Sequence, residues 1–428
     1  QIITHLRKRG LLPLRYSSPA LPYLLKLLGY VMGDGSIYFT GEAGKGTTWF
    51  YGEAEDLEAI RADVAALGFT PSRVYTRHRH HQVQTAYREY EFEYTEHSFK
   101  VTSTSFAVLM AALGAPVGAK ASQDFRVPAW VRKATLWQQR LFLAALFGAE
   151  LSAPKTVTGH GANFYTPVLS LSKREGYVEG GRAFLADLVQ LLERFGVEAK
   201  TISERSERVN AKGDRSVRLR LIISSTPQNL IRLWSRINFE YNRKRRLLAL
   251  VGVQYLKEKQ RTIAEREWVA ATAATMHAAG VAPTRIYAEL VSDRINRRFI
   301  ERSLYGGRIG SPRIGASFPD FTTYRTQATA GLGESGMVWA RIATLEPVEP
   351  FEGEVYDFTV AHSDHNFIAN EFVVSNCGVR LLASYLEQEE IAPYLQDLTS
   401  ALYRSCPSGV GGKGRVRVSE RELDELVT

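Results

Sequence analysis

Leu27-Leu28-Gly29-Tyr30-Val31-Met32-Gly33-Asp34-Gly35 and Leu143-Ala144-Ala145-Leu146-Phe147-Gly148-Ala149-Glu150-Leu151 are the stretches on which the fold turns. Each reads as the end of an apolar helix. Small residues at i and i+4, Gly29/Gly33 and Ala145/Ala149, leave a flat strip on one face, so two such helices can approach closer than the usual ~8–10 Å between axes. Each stretch closes on one acid, Asp34 or Glu150. A negative charge at a helix C-terminus opposes the macrodipole, and two such acids brought together repel. A divalent cation held by hard oxygen ligands relieves both problems, and metal-assisted phosphodiester hydrolysis uses such a site. The plainer alternative is two ordinary helices with surface acids at their ends.

The surroundings repeat. From the first stretch the pattern runs helix (Leu21 to Gly33), hairpin-like strands to Tyr51, helix (Ala54 to Leu67), alternating strands (Arg73 to Thr102) and helix (to Leu113). From the second it runs helix (Gln138 to Ala149), strands around Phe164 to Ser172, helix (Arg182 to Phe195), strands to Ser224 and helix (Pro227 to Ile237). The expectation is an α+β fold, an αββαββα unit duplicated about a pseudo-twofold axis.

The 428 residues carry 54 Lys/Arg and 45 Asp/Glu, a net +9, and ordinary globular composition excludes a wholly disordered chain. Residues 196–261 hold sixteen Lys/Arg and six Asp/Glu, a net +10 that suits a polyphosphate partner. The longest nearly apolar stretch, Phe106 to Ala119, is too short for a membrane span, so no membrane partner is expected. With two cysteines, Cys377 and Cys406, and no secretory signal, a cytoplasmic protein without a disulfide scaffold is expected. The run His78-Arg79-His80-His81 reads as an exposed polar hairpin, since no Cys or acid accompanies it at ligand spacing.

The paired stretches resemble the motifs of LAGLIDADG homing endonucleases over about 240 residues. Met32 stands where the family has a non-catalytic acid, and Leu151 stands in place of the closing Gly. The resemblance implies a monomeric endonuclease that makes double-strand cuts in DNA. Asp34 and Glu150 would be its catalytic Mg²⁺ ligands, and a cation would stand beside each site. The segment Leu113 to Lys120, followed by Val127-Pro128-Ala129-Trp130, points to Lys120 as one cation. Symmetry suggests Lys244 as the other, or as an ordinary phosphate contact. Candidate DNA readers alternate with apolar positions: Arg73, Arg77, Arg79 and Arg88 in the first half, Arg205, Arg208, Arg215, Arg218 and Arg220 in the second.

Near the C-terminus, Val355-Tyr356-Asp357-Phe358-Thr359-Val360, His365 to Asn370 and Phe372-Val373-Val374-Ser375-Asn376-Cys377 resemble the C-terminal splicing blocks of inteins. Asn376 can attack its own carbonyl to form a succinimide, with His365 as helper, and the Cys377 thiol can first accept an acyl group. Asp357 matches the acid that tunes these steps, and Ser375 stands where His is usual. The intein family's N-terminal nucleophile and Thr-x-x-His block are not in this chain, and residue 1 is Gln. The expectation is a piece of a longer precursor, limited to C-terminal cleavage or to splicing with a separate N-terminal segment. Beyond the junction, Cys377-Gly378-Val379-Arg380, Cys406-Pro407-Ser408-Gly409 and Gly412-Lys413-Gly414-Arg415 resemble RtcB-type RNA ligases, which use GTP and Mn²⁺. Cys377 would be a Mn²⁺ ligand only in the mature ligase. The fragment alone is not expected to ligate RNA.

The expected boundaries are a linker at 1–20, repeats at 21–130 and 131–261, and a helical DNA-contacting module at 262–336 with arginine clusters at Arg294, Arg297, Arg298 and Arg302. Splicing blocks follow at 337–376 and a ligase fragment at 377–428. Competing readings are a DNA-binding intein remnant that no longer cuts, and a chain whose product is the host RNA ligase.

Overall fold

The computed structural model describes residues 1–41, 44–84, 89–209, 215–306 and 311–342, and beyond these chiefly 366–369 and 372–375. In chain order the elements are α1 (Ile2–Lys8), α2 (Leu21–Met32), β1 (Gly35–Thr40), β2 (Lys45–Gly52), α3 (Ala54–Ala66), β3 (Tyr75–Gln84), β4 (Glu89–Val101) and α4 (Thr104–Leu113). Next come α5 (Ala129–Lys133), α6 (Leu136–Glu150), β5 (Thr156–Val157), β6 (His160–Phe164), β7 (Val168–Arg174), α7 (Val178–Arg194), β8 (Ala199–Val209), β9 (Arg215–Ile223) and α8 (Pro227–Arg232). The last are α9 (Arg243–Ala278), α10 (Pro283–Leu290), α11 (Arg297–Tyr305), α12 (Phe321–Ala328), β10 (Asn366–Ala369) and β11 (Phe372–Ser375). The fold is a mixture of helices and antiparallel sheets.

Helices α2 and α6 form the spine, because both are apolar nearly all round. Leu24, Leu25, Leu27, Leu28 and Val31 of α2 are fully buried, as are Phe142, Leu143, Ala144, Ala145 and Phe147 of α6. Thr135 and Gln138 close a capping box at the start of α6. A Cβ placed on Gly29 would fall 2.3 Å from the Phe142 carbonyl oxygen, so glycine sets how near the two backbones come.

The first sheet has strand order β1-β2-β4-β3 and the second β7-β9-β8. In the first, Phe50 opposite Phe99 faces the core, with ring centroids 4.8 Å apart. In the second, Leu169 opposite Leu221 and Leu171 opposite Leu219 make the inner face. The segment joining the two stretches is clipped to α7: the Arg126 guanidinium donates to both oxygens of buried Asp187, 2.7 and 2.5 Å away, and the Val127 N–H donates to the same carboxylate.

Two expected boundaries differ from the structure. Residues 1–20 are not a linker, since α1 forms and Leu6 and Leu11 are buried in the main core. The division at 261/262 falls inside α9, 36 residues without a break. Its middle, Lys257-Glu258-Lys259-Gln260-Arg261, is polar yet helix-compatible, so a change of composition there does not end the helix. A second small core does exist, built from Val269 and Ala273 of α9 with Ile286, Leu290, Ile295, Phe299 and Ile300.

The chain divides into a unit of residues 1–343 and another of 344–428. In the second, β10 and β11 pair as an antiparallel hairpin, Asn366 opposite Ser375. Asp357, His365, Asn376, Cys377, Cys406 and the glycine cluster at 409–414 lie outside the described residues, as does Arg88.

Candidate active site

The site forms where α2 and α6 end side by side. Gly33 caps α2, and a Cβ on it would lie 2.5 Å from Ala149 Cβ and 3.1 Å from Glu150 Cγ. The residue before Asp34 thus packs directly against Glu150. Both acids respond to the crowding. Burial first, then the charge of Asp34, pushes the Glu150 carboxyl up to about 7, against the pull of Lys120 and Arg245. Asp34 keeps an exposed face, yet the dense protein around it also raises its pKa, with Lys120 and Arg245 opposing.

One cation serves each helix end. Lys120, in a short 3₁₀ turn (Lys120–Ser122), donates its Nζ proton to the Gly33 carbonyl at the end of α2. Burial pushes its amine down to about 8, against the attraction of Glu150 and Asp34. Arg245 reaches the end of α6, donating to the carbonyls of Phe147, Gly148 and Ala149 at 3.3, 2.9 and 3.1 Å. Both offset the negative helix end on which the neighbouring acid stands.

Lys244, the position suggested by symmetry, is exposed and is not among the charges acting on either acid. It lines an open cleft with Glu53, Asp56, His97 and Arg243. Arg245 takes the inner place because the chain before it is laid across α6. The Glu240 N–H donates to the Ala144 carbonyl at 2.9 Å, and a Cβ on Gly148 would fall 1.9 Å from the Glu240 oxygen. Asn238 and Tyr241 take positive φ in this crossing, and Asn242 caps α9. In a run of four basic residues, spacing alone does not show which one turns inward.

Lys173 is a residue that sequence reasoning missed. It occupies an inward position of β7 at 0% exposure, its Nζ donating to the Lys120 carbonyl at 2.8 Å and the Gln123 carbonyl at 2.5 Å, over the Phe125 ring. Burial pushes its amine down to about 8. It ties the turn that carries Lys120 to the second sheet. Its place among apolar neighbours in the β7 alternation was the available clue.

Register sorts the candidate DNA readers. Arg77, opposite Glu96, shares a sheet face with Arg79, Trp49, Tyr51 and Lys100, on the side away from Phe50 and Phe99. Arg79 is paired with Glu96 at 3.1 Å, and Arg73, just before β3, lies over the Tyr75 ring. On the second sheet Arg205 stands directly opposite Arg218, with Arg220 on the same face. Arg215 belongs to the other face, 3.7 Å from Glu175. Arg208 is opposite Ser216, and its side chain is outside the described residues.

Among the described residues no three His, Cys, Asp or Glu side chains cluster as a metal site. Asp34 and Glu150 are a two-carboxylate set. That set fits Mg²⁺, which takes one or two carboxylates and completes its shell with water and substrate phosphate. Burial together with the Asp34 charge raises the Glu150 pKa, and that strain is what a divalent cation relieves.

No family model matches the chain. It is 35% identical to the tRNA-splicing ligase RtcB of Methanopyrus kandleri over 431 residues, spanning all of this chain and 42% of that protein. The DNA-directed RNA polymerase subunit Rpo1N of Methanocaldococcus jannaschii matches 88% of this chain at 27% identity, over 24% of its own length. The tRNA-splicing ligase RtcB of Archaeoglobus fulgidus matches only 14% of this chain, at 50% identity, over 14% of its own length. Among solved structures, the homing endonuclease I-WcaI bound to its DNA recognition sequence aligns with 54% of this chain and 92% of its own, at 12% identity and a TM-score of 0.30, a likeness too loose to argue from. No helix among the described residues is long and apolar enough to cross a membrane.

Proposed function

We propose that residues 21–261 form a DNA endonuclease of the LAGLIDADG type, carried by an intein within an RtcB-type ligase precursor. The observation that carries the reading is the meeting of Asp34 and Glu150 at two abutting helix ends, each end capped by its own cation. Asp34 and Glu150 would hold Mg²⁺, which when bound supplies Lewis acidity toward a phosphodiester oxygen. Lys120, its amine pushed down to about 8 by burial, would exchange a proton with the attacking water or the departing sugar oxygen. Arg245 offsets negative charge beside Glu150. Arg77, Arg205, Arg218 and Arg220 would hold the duplex backbone.

Two similarities support the intein setting. Most of this chain has a counterpart in a polymerase subunit with a different role, and one RtcB protein shares only a small part of it. A mobile segment inserted in unrelated hosts leaves that pattern. On this reading Asn376 and Cys377 bound the insertion, and Mn²⁺ and GTP belong only to the complete ligase.

The test is cleavage of plasmid DNA carrying the uninterrupted ligase sequence, with Mg²⁺. Asp34→Asn and Glu150→Gln are expected to abolish cutting while gel-shift binding persists; cutting at the unaltered rate would refute the assignment. For the junction, mass spectrometry is expected to detect a fragment released at Asn376–Cys377, absent in Asn376→Ala.

A further inference from the structure

Arg245 reaches the end of α6 because the chain turns sharply just before α9, and that turn is held from α3. Tyr241 sits in it with φ 55°, a left-handed backbone that a bulky aromatic residue rarely adopts unless its surroundings hold it there. Its ring is buried, edge-on to the Tyr30 ring of α2 at 5.6 Å, with the Lys26 ammonium 5.2 Å from its centroid. Its hydroxyl donates to the Asp63 carboxylate of α3, which Lys26 neutralises at 2.5 Å. Burial first, then the Asp63 charge, pushes the phenol well above its usual range, so it stays a donor. Two turns earlier on the same face of α3, buried Asp56 accepts from the Arg243 N–H at 2.8 Å. That N–H opens α9 and has no partner within its own helix, and a carboxylate there also suits the positive helix end.

We propose that Asp56 and Asp63 are positioning residues for Arg245: they anchor the turn at Arg243 and at Tyr241 and so aim the guanidinium at the α6 carbonyls. Between those two anchors, Asn242 donates to the Gly148 carbonyl at 3.1 Å and accepts from the Arg245 N–H at 3.0 Å. The turn is thus fixed to α3 on one side and to α6 on the other, and Arg245 follows directly from it. Lys120 is held in a comparable way, since Lys173 of β7 grips the turn that carries it. Each cation beside the two acids is therefore aimed by an element other than the helix it caps. That this aim matters for cutting rests on the nuclease reading; the aim itself does not.

The experiment uses the full chain. Tyr241→Phe removes one hydrogen bond and leaves Asp63 paired with Lys26, so no buried charge is stranded. Asp56→Ala frees the Arg243 N–H. The first readout is peptide-mapped modification by phenylglyoxal in a chelating buffer, with exposed Arg246 as the internal reference. In Tyr241→Phe/Asp56→Ala, Arg245 is expected to react about fivefold faster relative to Arg246 than in the unaltered chain. The second readout is single-turnover cutting with Mg²⁺ at saturating duplex of the uninterrupted ligase sequence. The same variant is expected to cut about tenfold more slowly with unchanged DNA affinity, and to add less than about twofold when built on Arg245→Ala. Asp56→Asn keeps an oxygen for the Arg243 N–H and is expected to match the unaltered chain in both readouts. A general loss of stability would slow cutting equally with or without Arg245, so additive losses overturn the proposal, as does unchanged Arg245 reactivity. A chain that does not cut, or whose Asp34→Asn variant cuts normally, defeats the nuclease reading, while the reactivity of Arg245 still decides whether α3 aims it.

Discussion

Glu150 shows what the residue scale contributes. Its carboxyl, pushed up to about 7, binds its proton more tightly in the folded chain than in the unfolded one, where the ordinary value is 4.5. The folded state is therefore favoured below pH 4.5, loses stability as pH rises through the interval to 7, and bears the whole penalty above it. In metal-free protein, thermal melting is expected to show that decline for the unaltered chain and a flatter profile for Glu150→Gln, with the variant more stable at pH 8 by on the order of 2 kcal/mol. Added Mg²⁺ is expected to stabilise the unaltered chain at pH 8 and not the variant. A side chain that weakens the fold at the position proposed to hold the metal is a familiar trade at active sites. The neighbouring pair Lys244 and Arg245 separates position from charge. Because only Arg245 reaches the α6 carbonyls, Arg245→Ala is expected to lower the single-turnover cutting rate at least tenfold, whereas Lys244→Ala changes chiefly DNA affinity and its salt dependence.

At the scale of elements, the α2–α6 spine was legible because an apolar helix carrying small residues four apart leaves few options. Its weak point is equally plain. Gly29→Val would drive a side chain into the Phe142 carbonyl, forcing the helices apart. Chemical denaturation is expected to show a loss of about 1–3 kcal/mol, and cutting is expected to fall further than stability alone explains because the two acids separate. The helices α3, α6 and α7 and the alternating strands of both sheets were readable from period and glycine stops. Other features resisted for physical reasons. Helix α1 is only seven residues long, and its one apolar pair at i,i+4, Ile2 and Leu6, is too short a run to announce that Leu6 and Leu11 would be buried. The inner cation among Arg243, Lys244, Arg245 and Arg246 depends on positive-φ residues upstream, which local sequence does not advertise. Lys173 is buried because two carbonyls from a distant turn need donors, a demand set by tertiary packing.

At the scale of the molecule, the main core and the small core around Ile286 and Phe299 share a single element, α9, whose 36 residues extend about 54 Å. An unbroken rod of this kind does not act as a flexible tether. It fixes both the reach and the rotational phase of whatever sits at its far end. If that end grips a nucleic acid, the interval along the duplex between cut and outer grip is set by a rigid ruler. A half-turn of extra duplex inserted there would present the opposite edge of the groove, and no slack in the protein would absorb the error.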